Sequence, residues 1–429
     1  MLKVCPECNK EYKEHWCQPC YSSRFKNDFD KWTSGNDIID KFIQDTQLDA
    51  DYWKVIEWIP YDKFQDIKQI AKGGNGTIYY AMWVEGCICN WDIENQQWER
   101  HDQFEVVLKK FDGIVDINDD FLNEMIILLK TNGIAASSVG FYGITKNPET
   151  HEYMLVLHYY EGGSLRNYLN NNFNSINWGN KLAHLKDLAY KFSKIHKLDI
   201  VHRDFHPGNI LKDSSSIKIS DFGLSKLITE NINNSKKNTI SGVLPYIAPE
   251  VLIGEEYTKA ADIYSFALVA YELITGIPPY HDVSHDKDLA FNICNGLRPK
   301  IPFSTPKLIT RMIMRCWDAR ITHRPTFEDL KKDLNKYYWE YHENKNNNDH
   351  GITIQIKQAE ELTKNRTTTI IPMNYKTHPQ AIYTSRLLNF SNLPKPKNDE
   401  NFEKELEELT ESFYQINVFE GDDLSTSNL

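Results

Sequence analysis

The hydrophobic pattern between Phe64 and Trp339 changes once along the chain, from the period of strands to the period of helices. The first third holds short runs rich in β-branched and aromatic residues, as strands do, at 77–83, 104–109 and 153–158. Later, Leu182 and Leu185 begin a run of apolar residues at spacings of three and four, which is typical of helices. The pattern therefore predicts an α+β fold, with a strand-rich lobe followed by a helix-rich lobe.

Length and composition indicate a multidomain globular protein. The chain has 429 residues, of which 25% are charged and 41% hydrophobic, close to globular averages. It contains no run of about 18 apolar residues, and the opening residues MLKVCPEC lack the apolar run of a signal peptide. We therefore expect a cytoplasmic protein without membrane contact, with the nucleus as an alternative. No basic block predicts binding to nucleic acid.

A series of polar motifs follows one order along the predicted domain. Residues 70–78, IAKGGNGTI, are glycine-rich and lead into a strand, where backbone N–H groups could approach phosphate oxygens closely. Such a stretch alone is more often a plain turn. Downstream follow VVLK ending at Lys109, Glu124 in a helical segment, HRDFHPGN at 202–209, DFG at 221–223 and APE at 248–250.

This ordered set resembles the signature of the protein kinase family over roughly residues 64–339. The resemblance implies a two-lobed kinase fold, with a small β-rich lobe and a large helical lobe, that transfers the γ-phosphate of ATP to a protein hydroxyl. It makes Asp204 the catalytic base and Lys109 a phosphate anchor held by Glu124. Asn209 and Asp221 would bind magnesium (Mg2+) through oxygen atoms. Each residue alone could be an ordinary loop or surface side chain, but their agreement favours catalysis.

The resemblance also implies a nucleotide pocket, with a hinge that follows the gatekeeper Leu157. The residues expected to line it are Ile70, Ala71, Lys72, Gly73, Gly74, Asn75, Gly76, Ile78, Val107, Lys109, His158, Tyr160, Leu211 and Asp221. Three of them depart from the family pattern: Ala71 replaces the first loop glycine, Asn75 the aromatic loop tip, and Val107 a smaller alanine. We expect these changes to tune nucleotide affinity.

Two further departures concern the acceptor. His206 stands where Ser/Thr kinases usually have lysine and tyrosine kinases alanine, and Val243 replaces a usual threonine. Pro245 and Tyr246 before the APE motif look like Ser/Thr kinases. The pairs Cys316-Trp317 and Arg324-Pro325, with GGSL at 162–165, are most like the tyrosine-kinase-like group, whose members mostly phosphorylate Ser and Thr. We therefore expect a Ser/Thr kinase. Tyrosine or dual specificity stays open. The alternatives are an ATP-binding pseudokinase scaffold and a zinc-dependent adaptor.

Two more expectations concern contacts within the domain. Arg203 would bind a phosphate on the loop that follows Asp221. The loop hydroxyls available are those of Ser225, Thr229, Ser235, Thr239 and Ser241. Arg324 is expected to pair with Glu250.

An enlarged hairpin is predicted between Gly76 and Lys109, because the segment is long and contains Trp83, Trp91 and Trp98. Cys87 and Cys89 within it are interpreted as structural.

Two C-x-x-C pairs lie in the first twenty residues, formed by Cys5 with Cys8 and by Cys17 with Cys20. Since intracellular thiols are kept reduced, this spacing favours a tetrahedral structural zinc site (Zn2+) over disulfides. Four unrelated thiols are the alternative. A bound ion would stabilise a segment too poor in apolar residues to fold alone, and its balanced charge favours docking to a partner or to the kinase domain.

The C-terminal end is acidic, with ten acidic residues and one lysine between Asp399 and Asp423. Its apolar residues alternate spacings of four and three, which predicts an amphipathic helix that docks on the kinase or a partner, or a short coiled coil; they are Phe402, Leu406, Leu409, Phe413 and Ile416. The expected partners are protein substrates, with further docking through the N-terminal cysteine segment or the tail. The predicted organisation is a zinc-binding module with four cysteines (the Cys module) at 1–30, a helical linker at 31–63, the kinase domain at 64–340, a largely irregular linker at 341–398 and the tail at 399–429.

Overall fold

The computed structural model describes residues 3–12, 16–49, 55–73, 76–111, 117–133, 137–213, 216–227, 240–343, 351–364 and 375–410. The chain divides into two compact units, Met1–Glu161 and Gly162–Leu429. Within the described ranges, we find no helix with the length and apolarity needed to span a membrane.

The first unit is built mainly from strands. Its strands are β1 (Lys3–Val4), β2 (Glu11–Tyr12), β3 (Glu57–Trp58), β4 (Phe64–Gly73), β5 (Gly76–Trp83), β6 (Ile88–Asp92), β7 (Gln97–Arg100), β8 (Phe104–Lys110), β9 (Phe141–Lys146) and β10 (Tyr153–His158). Its helices are α1 (Gln18–Asn27), α2 (Asp37–Asp49) and α3 (Asp119–Thr131). Six of the strands form one sheet in the order β3-β9-β10-β8-β5-β4, in which only β3 and β9 pair in parallel.

The core of this sheet follows from its central strands. Val106 and Leu108 of β8 are fully buried, and β10 buries five consecutive residues, Tyr153 to Leu157. Helix α3 begins at the cap Asn118, whose side chain accepts a hydrogen bond from the Phe121 backbone N–H at 2.9 Å. The stripe that α3 buries contains Glu124 among apolar residues, so the helix carries this carboxylate inward.

The N-terminal Cys module packs against the hairpin formed by β6 and β7, which confirms the predicted insertion. Trp16 stacks on Tyr21 with ring centroids 3.8 Å apart, and Phe25 stacks on Trp98 at 4.3 Å. The Tyr21 hydroxyl also donates a hydrogen bond to the Asn90 side chain. Aromatic rings of the module and the hairpin thus share one small core.

The second unit is mainly helical. Its helices are α4 (Leu165–Asn172), α5 (Trp178–Lys197), α6 (Pro249–Leu252), α7 (Lys259–Thr275), α8 (Lys287–Cys294), α9 (Lys307–Cys316), α10 (Phe327–Glu343) and α11 (Gly351–Lys364). Its strands are short: β11 (Ile200–Val201), β12 (Ile210–Lys212), β13 (Ile217–Ile219), β14 (Lys226–Leu227), β15 (Ile240–Gly242) and β16 (Arg386–Leu388). Helix α7 is apolar on nearly every side and is buried along most of its length, as its sequence predicts. The predicted fold, a β-rich lobe and a helical lobe with a Cys module, is confirmed.

The C-terminal region contains more regular structure than its sequence indicates. The predicted linker at 341–398 includes α11, which buries Ile352 and Ile356, and strand β16, which pairs with β15. Residues 402–410 are helical, with Phe402 buried, and Glu403 forms an ion pair with Arg320 at 2.5 Å. The tail helix therefore docks on the second unit; Phe413 and Ile416 lie outside the described residues.

Candidate active site

In the first unit, Lys109 and Glu124 form a buried ion pair. The ammonium nitrogen of Lys109 lies 2.6 and 2.9 Å from the two carboxylate oxygens of Glu124. The side chains are 5% and 1% exposed, so little solvent screens the pair. Strand β8 and helix α3 thus hold a fixed positive charge at the position that the sequence predicts.

Strands β8 and β10 position the residues predicted for the hinge. Val107 pairs with Leu157 in the sheet, and His158 pairs with Val106. The His158 Nδ1 and the Tyr142 hydroxyl lie 2.9 Å apart, and the Tyr160 ring packs edge-on against the His158 ring. These contacts fix the chain at the end of β10.

The glycine-rich stretch runs from the end of β4 to the start of β5. Ile70, Ala71, Lys72 and Gly73 are exposed on β4, Gly76 and Ile78 lie on β5, and Gly74 and Asn75 fall outside the described residues. Ile78 pairs with Lys109 in the neighbouring strand. Gly76 has φ +139°, and a Cβ there would lie 2.0 Å from the Lys110 carbonyl oxygen, so only glycine fits.

In the second unit, Asp262 holds the loop that carries Asp204. Its carboxylate accepts hydrogen bonds from the backbone N–H groups of His202 at 2.9 Å and Arg203 at 3.1 Å. The His196 Nε2 lies 2.9 Å from the same carboxylate. Arg203 has φ +69°, a left-handed conformation that these backbone hydrogen bonds stabilise.

Asp204 is buried, with 3% of its surface exposed, and Asn209 braces it. The Asn209 side-chain N–H group donates to the Asp204 backbone oxygen at 3.0 Å and to Oδ2 at 3.1 Å. Oδ2 also accepts a hydrogen bond from the hydroxyl of Ser385, which belongs to the C-terminal region. A Cβ at Gly242 would lie 3.3 Å from Oδ1, so glycine keeps space on that side. The carboxylate is therefore oriented towards a hydroxyl group.

His206 lies beside Asp204. Its Nδ1 accepts a hydrogen bond from the Gly208 backbone N–H at 3.0 Å, so the proton of the neutral ring resides on Nε2. This Nε2 lies 3.6 Å from Asp204 Oδ1 and 3.4 Å from Ser385 Oγ. Val243, the other departure from the family pattern, is buried.

The hairpin of β12 and β13 brings the loops of Asn209 and Asp221 together. Ile210 pairs with Ile219, and the backbone N–H and hydroxyl of Ser220 donate to the Asn209 carbonyl at 2.9 and 3.0 Å. Asp221 follows with φ +59°. Leu211 of the same hairpin pairs with Lys218 and forms a bridge with Ser164.

His202 links these two loops. Burial lowers the pKa of its ring, which is therefore neutral at pH 7. The Nε2 proton is donated to the Ser220 carbonyl at 3.0 Å, while Nδ1 lies 3.4 Å from the Asp204 backbone nitrogen.

The described loop hydroxyls offer little support for the expected binding of a loop phosphate by Arg203. The Ser225 hydroxyl is buried and donates to the His202 carbonyl at 2.9 Å, and Ser241 lies within β15. The guanidinium of Arg203 lies 5.7 Å from the Tyr257 ring centroid. Thr229, Ser235 and Thr239 lie outside the described residues.

The four N-terminal cysteines converge as predicted. The sulfur atoms of Cys5, Cys8, Cys17 and Cys20 all lie within 4.8 Å of one another. Those of Cys5 and Cys20 are 3.7 Å apart, and those of Cys8 and Cys17 are 3.5 Å apart. Tetrahedral zinc with Zn–S bonds of about 2.3 Å requires sulfur separations of about 3.8 Å. The thiolate set therefore fits zinc in both chemistry and spacing.

Two functional contacts have no clear sequence signal. Ser385 lies 181 residues from Asp204, in a polar stretch whose local pattern indicates no strand. Asp262 is visible only as a charged residue near the start of an apolar helix. The sequence shows the loop of Asp204 but not the side chains that hold and face it.

Comparison with known proteins agrees with this geometry. A family model described as protein tyrosine and serine/threonine kinase matches residues 64–334. Serine/threonine-protein kinase VIK of Arabidopsis thaliana is 34% identical over 227 residues, which cover 51% of this chain and 50% of that protein. The "Probable serine/threonine-protein kinase drkC" of Dictyostelium discoideum is 29% identical over 294 residues, 67% of this chain and 37% of that protein. Serine/threonine-protein kinase STY17 of Arabidopsis thaliana is 25% identical over 329 residues, 76% of this chain and 53% of that protein.

The chain spans between 37% and 53% of the length of these three relatives. The family match begins at the first residue of β4 and ends within α10, so it includes the Lys109 pair and the loops of Asp204 and Asp221. It covers more than half of the chain, and the chain therefore belongs to the protein kinase family.

Proposed function

We propose that this protein transfers the γ-phosphate of ATP, with magnesium, to serine or threonine hydroxyls of protein substrates. The observation that carries the proposal is the state of Asp204, which is buried, braced by Asn209 and hydrogen-bonded to a serine hydroxyl. A carboxylate so placed can orient an acceptor hydroxyl and take its proton. The names of the Ser/Thr kinase relatives support the same acceptor class.

Lys109 would neutralise charge on the phosphates. Its ion pair with Glu124 fixes the ammonium group, which otherwise ends a flexible side chain. The residues of the glycine-rich stretch and of the hinge would hold the nucleotide, as the family pattern implies. Fixed positive charge stabilises a transferring phosphoryl group without reorganisation.

Asn209 and Asp221 fit a magnesium site because their donor atoms are oxygens. The Asn209 amide nitrogen is committed to Asp204, so its Oδ1 is the atom that could bind the cation. The Ser220 hydrogen bonds keep the two loops adjacent. A magnesium ion held by these residues would neutralise negative charge on the phosphates.

His206 would assist the acceptor. Its Nε2–H group faces the hydroxyl oxygen bound to Asp204, at 3.4 Å in the contact with Ser385. An N–H donor there orients the hydroxyl oxygen while Asp204 accepts its proton. This arrangement could substitute for the lysine usual at this position in Ser/Thr kinases.

The Cys module would hold a structural zinc ion and serve as a docking element. Its aromatic residues already pack on the β6–β7 hairpin, which supports a role in shaping that surface for a protein partner. The acidic tail is the second candidate for partner docking.

Labelled phosphate transfer from MgATP to mixed protein substrates tests the proposal, followed by phosphoamino-acid analysis. Phosphoserine or phosphothreonine is expected, and Asp204→Asn should abolish it. Asp199→Asn is the matched control, because Asp199 is half-exposed and its φ of +57° is one that asparagine readily adopts. Phosphotyrosine would overturn the acceptor class, and no transfer would favour the pseudokinase scaffold.

A further inference from the structure

The segment 375–398 lies beyond the family match and crosses the acceptor side of the second unit. Its backbone forms hydrogen bonds with His281 and His285 through His378 and Gln380, at 2.8 and 3.1 Å, and with Cys294 through Lys397 at 2.9 Å. These contacts anchor both ends of the segment.

Strand β16 of this segment adds to strand β15 in an antiparallel arrangement. Arg386 pairs with Gly242, Leu387 with Ser241 and Leu388 with Ile240. Strand β15 lies between the DFG and APE motifs in the sequence. Its last residue, Gly242, is next to Asp204, since a Cβ at Gly242 would lie 3.3 Å from Asp204 Oδ1. Strand addition is a general way for a protein to hold an extended peptide by its backbone.

Ser385, the residue immediately before β16, reaches the catalytic carboxylate. Its hydroxyl donates to Asp204 Oδ2, and His206 Nε2 lies 3.4 Å from its oxygen. Thr384, the adjacent hydroxyl residue, is exposed. Strand register therefore selects one hydroxyl and directs it to the position that an acceptor must occupy.

Side chains on both sides of Ser385 secure this register. The Tyr383 hydroxyl donates to the Pro279 carbonyl at 2.8 Å, and the Tyr383 carbonyl accepts from Arg166 at 3.2 Å. The Arg386 guanidinium donates to the His285 carbonyl at 2.5 Å. Leu388 is buried, whereas Leu387 is 66% exposed.

We propose that Ser385 is the phosphoacceptor of its own chain, and that the segment 383–388 blocks the acceptor site until it is phosphorylated. The proposal rests on the kinase activity and serine acceptor proposed above. The Ser385 hydroxyl oxygen forms a bond to the γ-phosphorus of ATP, and the bond from that phosphorus to the β-phosphate oxygen breaks. Asp204 takes the hydroxyl proton, and the products are phosphoserine and ADP.

The product would release the segment. A phosphoserine carries nearly two negative charges and would lie against the buried Asp204 carboxylate. Asp204 Oδ1 is buried and has no hydrogen-bond partner within the described residues. His206 Nε2 lies 3.6 Å from it, and a single positive charge on that ring would not balance a carboxylate together with a phosphate. Because Asp204 is buried, water would screen the repulsion between the phosphate and this carboxylate only weakly. The repulsion would therefore favour release of β16 from β15, which would open the acceptor site to other proteins.

Phosphosite mapping of the phosphatase-treated full chain, incubated with MgATP, tests the acceptor. We expect phosphate on Ser385, at an initial rate per chain that does not change with protein concentration. In a mixture with wild-type protein, a tagged Asp204→Asn chain should gain none at this site. Ser385→Ala should lose this phosphate, and Thr384→Ala should retain it.

A protein substrate in the same reaction separates the two proposals. Transfer to that substrate without phosphate on Ser385 would overturn the present proposal and leave the kinase function intact. No transfer to either would overturn both. A rate per chain that rises with concentration, or a labelled Asp204→Asn chain, would overturn transfer within one chain.

A pair of leucine variants tests the blocking role. Leu388→Glu should detach the strand, because it places a charge in a buried position, and should raise the initial rate on a protein substrate several-fold. Leu387→Glu is the matched control and should leave that rate unchanged, since its side chain is exposed. Equal rates in both variants and wild type would overturn the blocking role.

Discussion

Arg324 and Glu250 form a bidentate ion pair in the interior of the second unit, with nitrogen–oxygen distances of 2.6 and 2.8 Å. Both side chains are at most 2% exposed. The same guanidinium donates to the carbonyls of Asp318 at 2.8 Å and Ala260 at 2.9 Å. This one side chain therefore ties the APE motif to the start of α7 and to the turn after α9.

Removing one partner of this pair should destabilise the protein strongly. We expect Arg324→Met to lower the free energy of unfolding by about 3–5 kcal/mol, because it leaves the Glu250 carboxylate buried without a counter-ion. Lys197→Met is the control, since the pair of Lys197 with Glu328 is exposed and should contribute below about 1 kcal/mol. Urea unfolding of the three proteins measures both changes, and equal losses would contradict the prediction.

Loss of the Lys109 ammonium should remove phosphate transfer. Lys109→Met is expected to lower kcat/KM by about 100-fold or more, because a fixed charge on the phosphates is lost. Lys110→Met is the matched control on the same strand; its ammonium lies 3.3 Å from Glu152 instead of Glu124. Thermal unfolding of each variant separates lost chemistry from lost fold. A folded Lys109→Met protein with wild-type activity would contradict the role.

The sequence predicts the parts of the site that short motifs contain. Lys109 and Glu124 meet as expected, and so do Arg324 and Glu250, because each belongs to an ordered set of motifs that chance rarely produces. The strand and helix patterns predict the two lobes for a related reason: local periodicity reports which face is buried.

Local sequence patterns do not predict which distant segments contact one another. Strand β16 is three residues long and gains its stability by pairing with β15, which lies more than 140 residues earlier in the chain. Trp91 and Trp98 are visible in the sequence as aromatic residues of a long insertion, but nothing local shows that they pack on the Cys module. Partner choice across such separations depends on three-dimensional complementarity.

Zinc removal should unfold the N-terminal module. Purified protein is expected to contain about one zinc per chain by ICP-MS, and Cys17→Ser should lose it, whereas Cys89→Ser should retain it. Because Trp16 lies in the same small core as the cysteines, a strong chelator should also change tryptophan fluorescence. Zinc well below one per chain in fresh wild-type protein would refute the site.

Acid should destabilise the second unit through buried neutral histidines, of which His184 is the clearest. Burial, with the nearby charge of Lys212, lowers the pKa of His184 to about 4 from its ordinary 6.5. Between these values the unfolded chain binds a proton that the folded chain does not. The free energy of unfolding should therefore fall as pH falls from about 6.5 to about 4, by up to about 1.4 kcal/mol per pH unit for this residue.

The variant His184→Gln isolates this contribution, because glutamine does not titrate. Its unfolding free energy, measured in urea at a series of pH values, should fall less steeply between about pH 6.5 and pH 4 than that of the wild type. A residual slope is expected, since burial also lowers the pKa of His202 and of His285. His342→Gln, a change at an exposed position on α10, should leave the wild-type slope intact. Identical slopes in wild type and His184→Gln would show that His184 takes up its proton equally in the folded and unfolded states, against its buried environment.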